Sequence, residues 1–73
     1  MTNTYKLRYK IKSSGLKISY LAEQLGLSRQ GLANKINGDT EFIASEISKM
    51  SELLRLTLEE REEIFFKKEV DKM

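Results

Sequence analysis

Apolar residues recur along this chain at the spacing of a helix rather than that of a strand. Between positions 18 and 25 they fall at i, i+3, i+4 and i+7, one complete apolar stripe made of Ile18, Leu21, Ala22 and Leu25. The alternation of apolar and polar residues that marks a half-buried strand does not stand out anywhere in the sequence. The pattern therefore predicts an all-α fold.

Glycine divides the periodic stretches into separate helices. Gly15, Gly26 and Gly38 each follow a stretch directly, at the position where a residue in the left-handed conformation commonly ends a helix. Together with the periodicity, they predict five short helices over residues 5–14, 18–25, 29–37, 44–54 and 58–69.

The same periodicity predicts which side chains form the core. The residues expected to face inward from the other helices and the turns are Leu7, Ile11, Leu27, Leu32, Ile36, Ile47, Met50, Leu54, Leu56, Leu58 and Phe65. Either Phe42 or Ile43 should pack just before the fourth helix, and Ile64 should lie beside the stripe of the fifth.

Polar residues mark the starts of two helices. Ser28 stands at the N-cap position of the third helix, and Thr57 with Glu60 three residues later forms a capping box for the fifth. Gly31 lies inside the third helix, where glycine costs about 0.5–1 kcal/mol relative to alanine. It either permits a close backbone approach or is simply tolerated.

The outward face of the third helix carries side chains suited to reading DNA bases. The face consists of Arg29, Gln30, Ala33, Asn34 and Asn37. Arginine can donate two hydrogen bonds to guanine, and glutamine or asparagine can make a bidentate pair with adenine. An ordinary solvated helix surface carries the same residue types, so the pattern alone leaves both interpretations open.

The composition excludes several kinds of function. A length of 73 residues suits a single domain spanning 1–73, and the chain contains neither His nor Cys. The commonest general base, thiolate metal ligands and disulfides are therefore absent. No apolar run approaches the roughly 20 residues that span a bilayer, and the N-terminus lacks the features of a signal peptide. We expect a cytoplasmic protein that is not an enzyme and uses no cofactor, metal, membrane or small-molecule substrate.

Charge is distributed unevenly along the chain. Residues 1–38 carry seven basic residues against one acidic residue, and residues 39–73 carry six against ten, giving net charges of +6 and −4. A basic half suits a polyanionic partner, which an acidic half would repel. The alternative is two solvated surfaces of opposite sign.

The predicted fifth helix and tail, residues 58–73, carry more apolar surface than one stripe requires. Phe66, Val70 and Met73 form a second stripe at i, i+4 and i+7, displaced from the first. This stripe is either an exposed patch that receives a protein partner or a shoulder of the core on which Phe66 lies.

The stretch LAEQLGLSRQGLANKINGDTEF resembles helix-turn-helix regulators of the lambda-repressor/Cro type. The shared positions are Leu21-Ala22, Gly26, Leu27, Ser28 and Gly38, followed by Glu46-Ile47, Met50-Ser51, Leu54 and Leu56. The resemblance covers about residues 5–66 and implies a compact five-helix domain with its helix-turn-helix at 18–37. Asn37-Gly38, Phe42, Ser45-Glu46-Ile47 and Ile64-Phe65-Phe66 look like small regulators of temperate bacteriophages, both Cro-like proteins and modulators of repression.

The resemblance implies specific contacts with double-stranded operator DNA in a bacterial host cell. Carried onto this chain, the base-reading residues are Arg29, Gln30, Ala33 and Asn34, with the Ala33 methyl able to contact a thymine methyl. The implied phosphate contacts are Lys17, Ser28 and Asn37.

The sequence departs from the family pattern at three places, and the first and the last of these weaken the expected binding to DNA. Lys17-Ile18 stands where relatives commonly have Thr-Gln, so one hydrogen bond to phosphate is lost. Ile11 and Ile36 replace the buried Arg–Glu pair of some relatives with an apolar contact. Two acidic residues, Asp39 and Glu41, follow the recognition helix where relatives often carry basic ones.

Two functional hypotheses remain. The first is a sequence-specific DNA-binding transcriptional regulator of a phage lysis/lysogeny switch, for which tight binding would normally need a dimer on two half-sites, such as a homodimer. The second is an antirepressor or modulator that binds a partner phage repressor and alters its DNA binding, using the surface of the second and third helices or the patch formed by Phe66, Val70 and Met73.

Overall fold

The computed structural model describes residues 2–66, and within them the chain is all-helical. The α-helices are α1 (Thr4–Ser14), α2 (Ile18–Leu25), α3 (Arg29–Asn37), α4 (Ala44–Leu53) and α5 (Leu58–Arg61). A π-helical segment, Glu62–Phe66, follows α5 without a break. The predicted five-helix all-α fold is confirmed, with the boundaries of the first four helices placed within one residue.

Two glycines shape the chain around α3. Gly26 and Gly38 take φ values of 72° and 88°, in the left-handed region that other residues rarely adopt. After α2 the amide of Leu27 donates to the carbonyl of Ala22 at 2.9 Å, and after α3 the amide of Asp39 donates to that of Asn34 at 2.8 Å. Both helices therefore end in Schellman motifs that satisfy their last carbonyl groups and turn the chain sharply.

Both predicted capping signals are present. The Ser28 hydroxyl oxygen accepts a hydrogen bond from the amide of Gly31 at 2.9 Å. At the start of α5, the hydroxyl oxygen of Thr57 accepts from the amide of Glu60 at 3.0 Å, and the Glu60 carboxylate accepts from the amide of Thr57 at 2.9 Å. These bonds satisfy amides that would otherwise lack intrahelical partners.

One apolar core joins all the helical elements except α5. Its buried members are Leu7, Ile11, Leu21, Ala22, Leu32, Ile36, Phe42, Ile47, Met50, Leu54, Ile64 and Phe65. Ile18, Leu25, Leu27 and Leu56 pack against it in a partly buried position. Of the two residues considered before α4, Phe42 enters the core, where its ring meets that of Phe65 edge to face at 5.4 Å, and Ile43 stays exposed.

The prediction for the fifth helix is wrong in two respects. The sequence pattern predicts Leu58 in the core, but 82% of its surface is exposed. The regular α-helix expected from 58 gives way after Arg61 to the π-helical segment, which shifts the inward face so that Ile64 and Phe65 are both buried. The predicted continuation to residue 69 lies outside the described residues, as do Val70 and Met73.

Ion pairs connect the two halves of the sequence. Lys6 and Lys10 of α1 reach Glu63 and Glu60 at 2.8 and 2.9 Å. Lys35 of α3 reaches Glu46 of α4 at 3.2 Å. The charge separation read along the chain is thus partly neutralised inside the fold.

None of the helices within residues 2–66 is long and apolar enough to cross a bilayer.

Candidate nucleic-acid interface

The helix-turn-helix is the pair α2 and α3 joined by Gly26, Leu27 and Ser28. Leu21 and Ala22 of α2 are buried with Leu32 and Ile36 of α3, so the two helices share one apolar seam. Ala22 is the smallest side chain in the seam and allows close approach of the two helices. The seam fixes which side of α3 is left outward.

The outward side of α3 holds the predicted base-reading residues. Arg29 and Gln30 are exposed in the first turn of the helix, and Ala33 and Asn34 are partly exposed in the next. The side-chain amide of Gln30 donates to the Asn34 side-chain oxygen at 3.0 Å. This bond holds the two amide groups side by side on one face while leaving the Gln30 oxygen and the Asn34 amide hydrogens free to form further bonds.

Gly31 faces the Ser28 cap. A methyl group added at Gly31 would lie 3.0 Å from the Ser28 hydroxyl oxygen, a tight contact that requires one of the two groups to shift slightly. The atom that approaches Gly31 is thus the side-chain hydroxyl of the cap, whereas the sequence suggested an approach of backbone.

The predicted phosphate-contact residues lie at three different places on the pair. Lys17 is the exposed N-cap of α2, where no side chain caps the helix, which agrees with the departure noted at Lys17-Ile18. The hydroxyl oxygen of Ser28 accepts the capping hydrogen bond of α3, and its hydroxyl hydrogen can still be donated. Asn37 is the exposed last residue of α3 and accepts a hydrogen bond from the guanidinium of Arg8.

The cations of the N-terminal half divide into two groups. Lys6, Lys10 and Lys35 pair with carboxylates of the second half. The other four cations of the N-terminal half, Arg8, Lys12, Lys17 and Arg29, have no carboxylate partner within residues 2–66. Lys6 and Lys10 face α5 and the π-helical segment, whereas Arg8 and Lys12 border the helix-turn-helix.

Acidic groups also lie near this surface. Asp39 and Glu41, directly after α3, are both exposed. The main-chain oxygen of Glu41 accepts from the Lys35 ammonium group at 2.8 Å, which ties the segment after α3 back to that helix. The negative charges of Asp39 and Glu41 next to α3 would repel a DNA phosphate brought to that end of the helix.

Sequence reasoning missed the roles of Arg8 and Lys35. The spacing of Arg8 and Lys12 on α1 could have shown that they share a face. The bond from Arg8 to Asn37 joins residues 29 positions apart, and the Lys35–Glu46 pair depends on how α3 meets α4. No local sequence pattern predicts either of these two contacts.

Comparison with known proteins gives one finding. A family model described as helix-turn-helix matches residues 7–61, from the first turn of α1 to the end of α5. No curated protein and no solved structure matches the chain.

Proposed function

Because this chain belongs to the helix-turn-helix family of lambda-repressor/Cro-like DNA-binding regulators, we propose that it is a sequence-specific transcriptional regulator that places α3 in the major groove of its operator. The observation that carries this proposal is the outward face of α3, where Arg29, Gln30 and Asn34 present donors and acceptors and no apolar side chain larger than Ala33 intervenes.

Each of these side chains has a definite task in base reading. Arg29, exposed at the start of α3, can donate two hydrogen bonds to the O6 and N7 atoms of guanine. One amide hydrogen of Gln30 is bonded to the Asn34 side-chain oxygen. Gln30 can therefore pair with adenine through its oxygen and its second amide hydrogen. The methyl of Ala33 suits contact with a thymine methyl group.

A single module with so few base contacts binds weakly, so we include a homodimer on two half-sites in the proposal. The exposed Asp39 and Glu41 and the missing hydrogen-bond donor at Ile18 lower the affinity of each module further. Dimerisation adds a second set of contacts, which raises the affinity for paired half-sites far above that for a single one.

The biological setting in the proposal is the lysis/lysogeny switch of a temperate phage. It is supported by the likeness of Asn37-Gly38, Phe42 and Ile64-Phe65-Phe66 to small phage regulators. In the structure, Phe42 and Phe65 of this set meet in the core.

A second function, that of an antirepressor or modulator, is favoured by one observation. Phe66 follows the buried Phe65 directly, yet 49% of its surface is exposed. An exposed aromatic ring beside the acidic C-terminal half would suit a partner repressor rather than DNA. Asp39 and Glu41 could then imitate phosphates toward the partner's DNA-binding face.

The first test is selection of duplexes from a randomised library by the purified protein. A consensus sequence should emerge, and Arg29→Ala and Gln30→Ala should each lose preference for it while unfolding at the wild-type temperature. The matched control is Gln24→Ala, because Gln24 is an exposed amide of α2 that borders α4 at Ser45 and Lys49. If both α3 variants retained the wild-type preference, α3 would not be the reader.

The second test separates the two functions. In a gel-shift assay, the protein is added to its selected duplex alone, and is then added together with a temperate-phage repressor to that repressor's own operator. A sequence-specific shift by the protein alone supports the regulator. A shift, or loss of the repressor's shift, that needs both proteins supports the modulator, and Phe66→Ala should then abolish the effect.

A further inference from the structure

A groove of about 250 Å³ lies between α1 and the helix-turn-helix. Its rim carries Arg8 and Lys12 of α1 and Asn37 of α3, and Ile18 of α2 and Ala33 of α3 border it on the side of the helix-turn-helix. Its floor is formed by Ile11 and Ile36, and no carboxylate lines it. The groove therefore combines an apolar floor with a rim of hydrogen-bond donors.

The contact between Arg8 and Asn37 decides how the Asn37 amide is turned. A guanidinium group can only donate hydrogen bonds, so the amide group of Asn37 must present its oxygen to Arg8. The amide nitrogen of Asn37, with its two hydrogens, then points away from Arg8. Arg8 itself keeps further N–H groups unused, since its guanidinium has five.

Lys12 adds a second positive charge one turn further along α1. It is exposed at the same groove, and neither it nor Arg8 has a carboxylate partner among residues 2–66. Two cations and an oriented amide thus offer donors to one region of the surface. Such a set of donors fits a tetrahedral anion with several oxygen acceptors better than a neutral ligand.

The position of the groove next to α3 indicates which anion it would bind. Ala33, which borders the groove, lies on the face of α3 proposed to read bases, and a DNA backbone flanking the major groove must pass close to that face. We propose that Arg8, Lys12 and Asn37 bind one DNA backbone phosphate, with Arg8 also acting as the positioning residue that turns the Asn37 amide toward it. This inference rests on the proposed DNA-binding function and extends the contact surface from the helix-turn-helix to α1.

The test uses the full chain, a duplex selected from the randomised library, and binding curves at several salt concentrations. Arg8→Met removes the charge but keeps the length of the side chain. It should weaken binding about tenfold. It should also make the negative slope of log affinity against log salt shallower by about 0.9, the value for one phosphate contact. Asn37→Ala should weaken binding with little change in that slope, because the amide carries no charge.

Two further variants test the positioning role of Arg8. In the double variant Arg8→Met, Asn37→Ala, the loss should be smaller than the product of the two single losses, because the amide is no longer oriented once Arg8 is gone. Asn37→Asp should bind more weakly than Asn37→Ala, since a carboxylate would still accept from Arg8 but would repel the phosphate.

The control is Lys49→Met, which removes one exposed charge near Leu25, at the opposite end of α2 from the groove. If Arg8→Met matched Lys49→Met in affinity and salt slope while the wild-type protein bound its duplex, the phosphate site would be refuted and the proposed function would stand. Fully independent losses in the double variant would refute the positioning role.

Failure of the wild-type protein to bind any duplex would overturn the proposed function and this inference together. Loss of binding to a partner repressor in Arg8→Met, with duplex affinity unchanged, would replace the phosphate with a protein ligand. Thermal unfolding of each variant by circular dichroism should match the wild type, since Arg8 and Asn37 are both exposed.

Discussion

At the scale of single residues, Lys35 serves the fold although its charge was counted toward a DNA-binding surface. Its side chain and that of Glu46 keep only 14% and 11% of their exposure, and they pair at 3.2 Å. Lys35 also donates to the main-chain oxygen of Glu41, and the Glu46 carboxylate accepts from the amide of Ile43. The pair therefore connects α3, the segment after it and the first turn of α4.

Removing one partner of this pair should destabilise the protein. Lys35→Met leaves the Glu46 charge largely buried, and we expect a loss of about 1–3 kcal/mol, below the 3–5 kcal/mol of a fully buried pair because some solvent still reaches both groups. Urea unfolding would measure it. Lys6→Met, which breaks the exposed pair with Glu63, is the control and should cost below about 1 kcal/mol. Equal losses would show that burial of the pair is unimportant.

Gly31 and Ser28 form a second residue-scale unit. Gly31→Ala should stabilise α3 by about 0.5–1 kcal/mol from helix propensity alone. Its methyl would press on the Ser28 hydroxyl at 3.0 Å and disturb the cap, so we expect little or no gain in the wild-type background. In a Ser28→Gly background the hydroxyl is gone and the gain should appear in thermal unfolding. The same gain in both backgrounds would contradict the conflict between methyl and cap.

At the scale of elements, the C-terminal helix decides which apolar side chains reach the core. A regular α-helix would place Leu58 and Phe65 on one face, as the sequence pattern predicted. A π-helical turn contains more residues, so the face after it is rotated relative to the face before it. Ile64 and Phe65 are consequently buried together, and Leu58 is left outside.

This arrangement predicts opposite effects for two aliphatic residues of the same segment. Leu58→Gln should change the free energy of unfolding by less than about 0.5 kcal/mol, because the side chain is already in solvent. Ile64→Ala should cost about 2–5 kcal/mol, because it leaves a cavity in the core. Phe66→Ala should fall between them. A large loss for Leu58→Gln in urea unfolding would support a regular α-helix instead.

At the scale of the whole molecule, the C-terminal segment and α1 hold each other in place. Lys6 and Lys10 pair with Glu63 and Glu60, and the amide of Asn3 donates to the carbonyl of Ile64 at 2.7 Å. The acidic half of the sequence thus neutralises the cations of α1 that face it. The other cations of the N-terminal half, Lys35 excepted, remain available to a polyanion.

The contact between α1 and α5, made by Lys10 and Glu60, should weaken in acid. The hydrogen bond from the Thr57 amide, followed by that from Lys10, lowers the pKa of Glu60 below its ordinary value of 4.5. A lowered pKa in the folded state stabilises the protein fully above pH 4.5, and this stabilisation is lost as the pH falls through the folded-state pKa. Glu60→Gln should therefore reduce stability at neutral pH and flatten the fall in stability below pH 4.5.

Thermal unfolding across that pH range would measure the effect. Glu59→Gln removes a neighbouring charge whose side chain makes no hydrogen bond or ion pair with residues 2–66, and it is the matched control. If both variants changed the acid dependence equally, the bonds to Thr57 and Lys10 would not be its source.

Local patterns in the sequence were enough to predict the first four helices, several of the caps and most of the core. Gly26 and Gly38, Ser28, and the Thr57–Glu60 box act through bonds spanning a few residues, so their chemistry can be read from neighbouring letters. The same holds for the outward face of α3, because one apolar seam with α2 fixes its orientation.

Only the tertiary structure decided the features that join distant parts of the chain. The burial of Lys35 with Glu46, the bond from Arg8 to Asn37 and the pairing of α1 with the C-terminal segment depend on how separate helices meet. The π-helical turn likewise departs from a local preference so that Ile64 and Phe65 can both enter one small core. Packing settles these contacts because its free energy exceeds the weak preferences of single residues for one helical geometry.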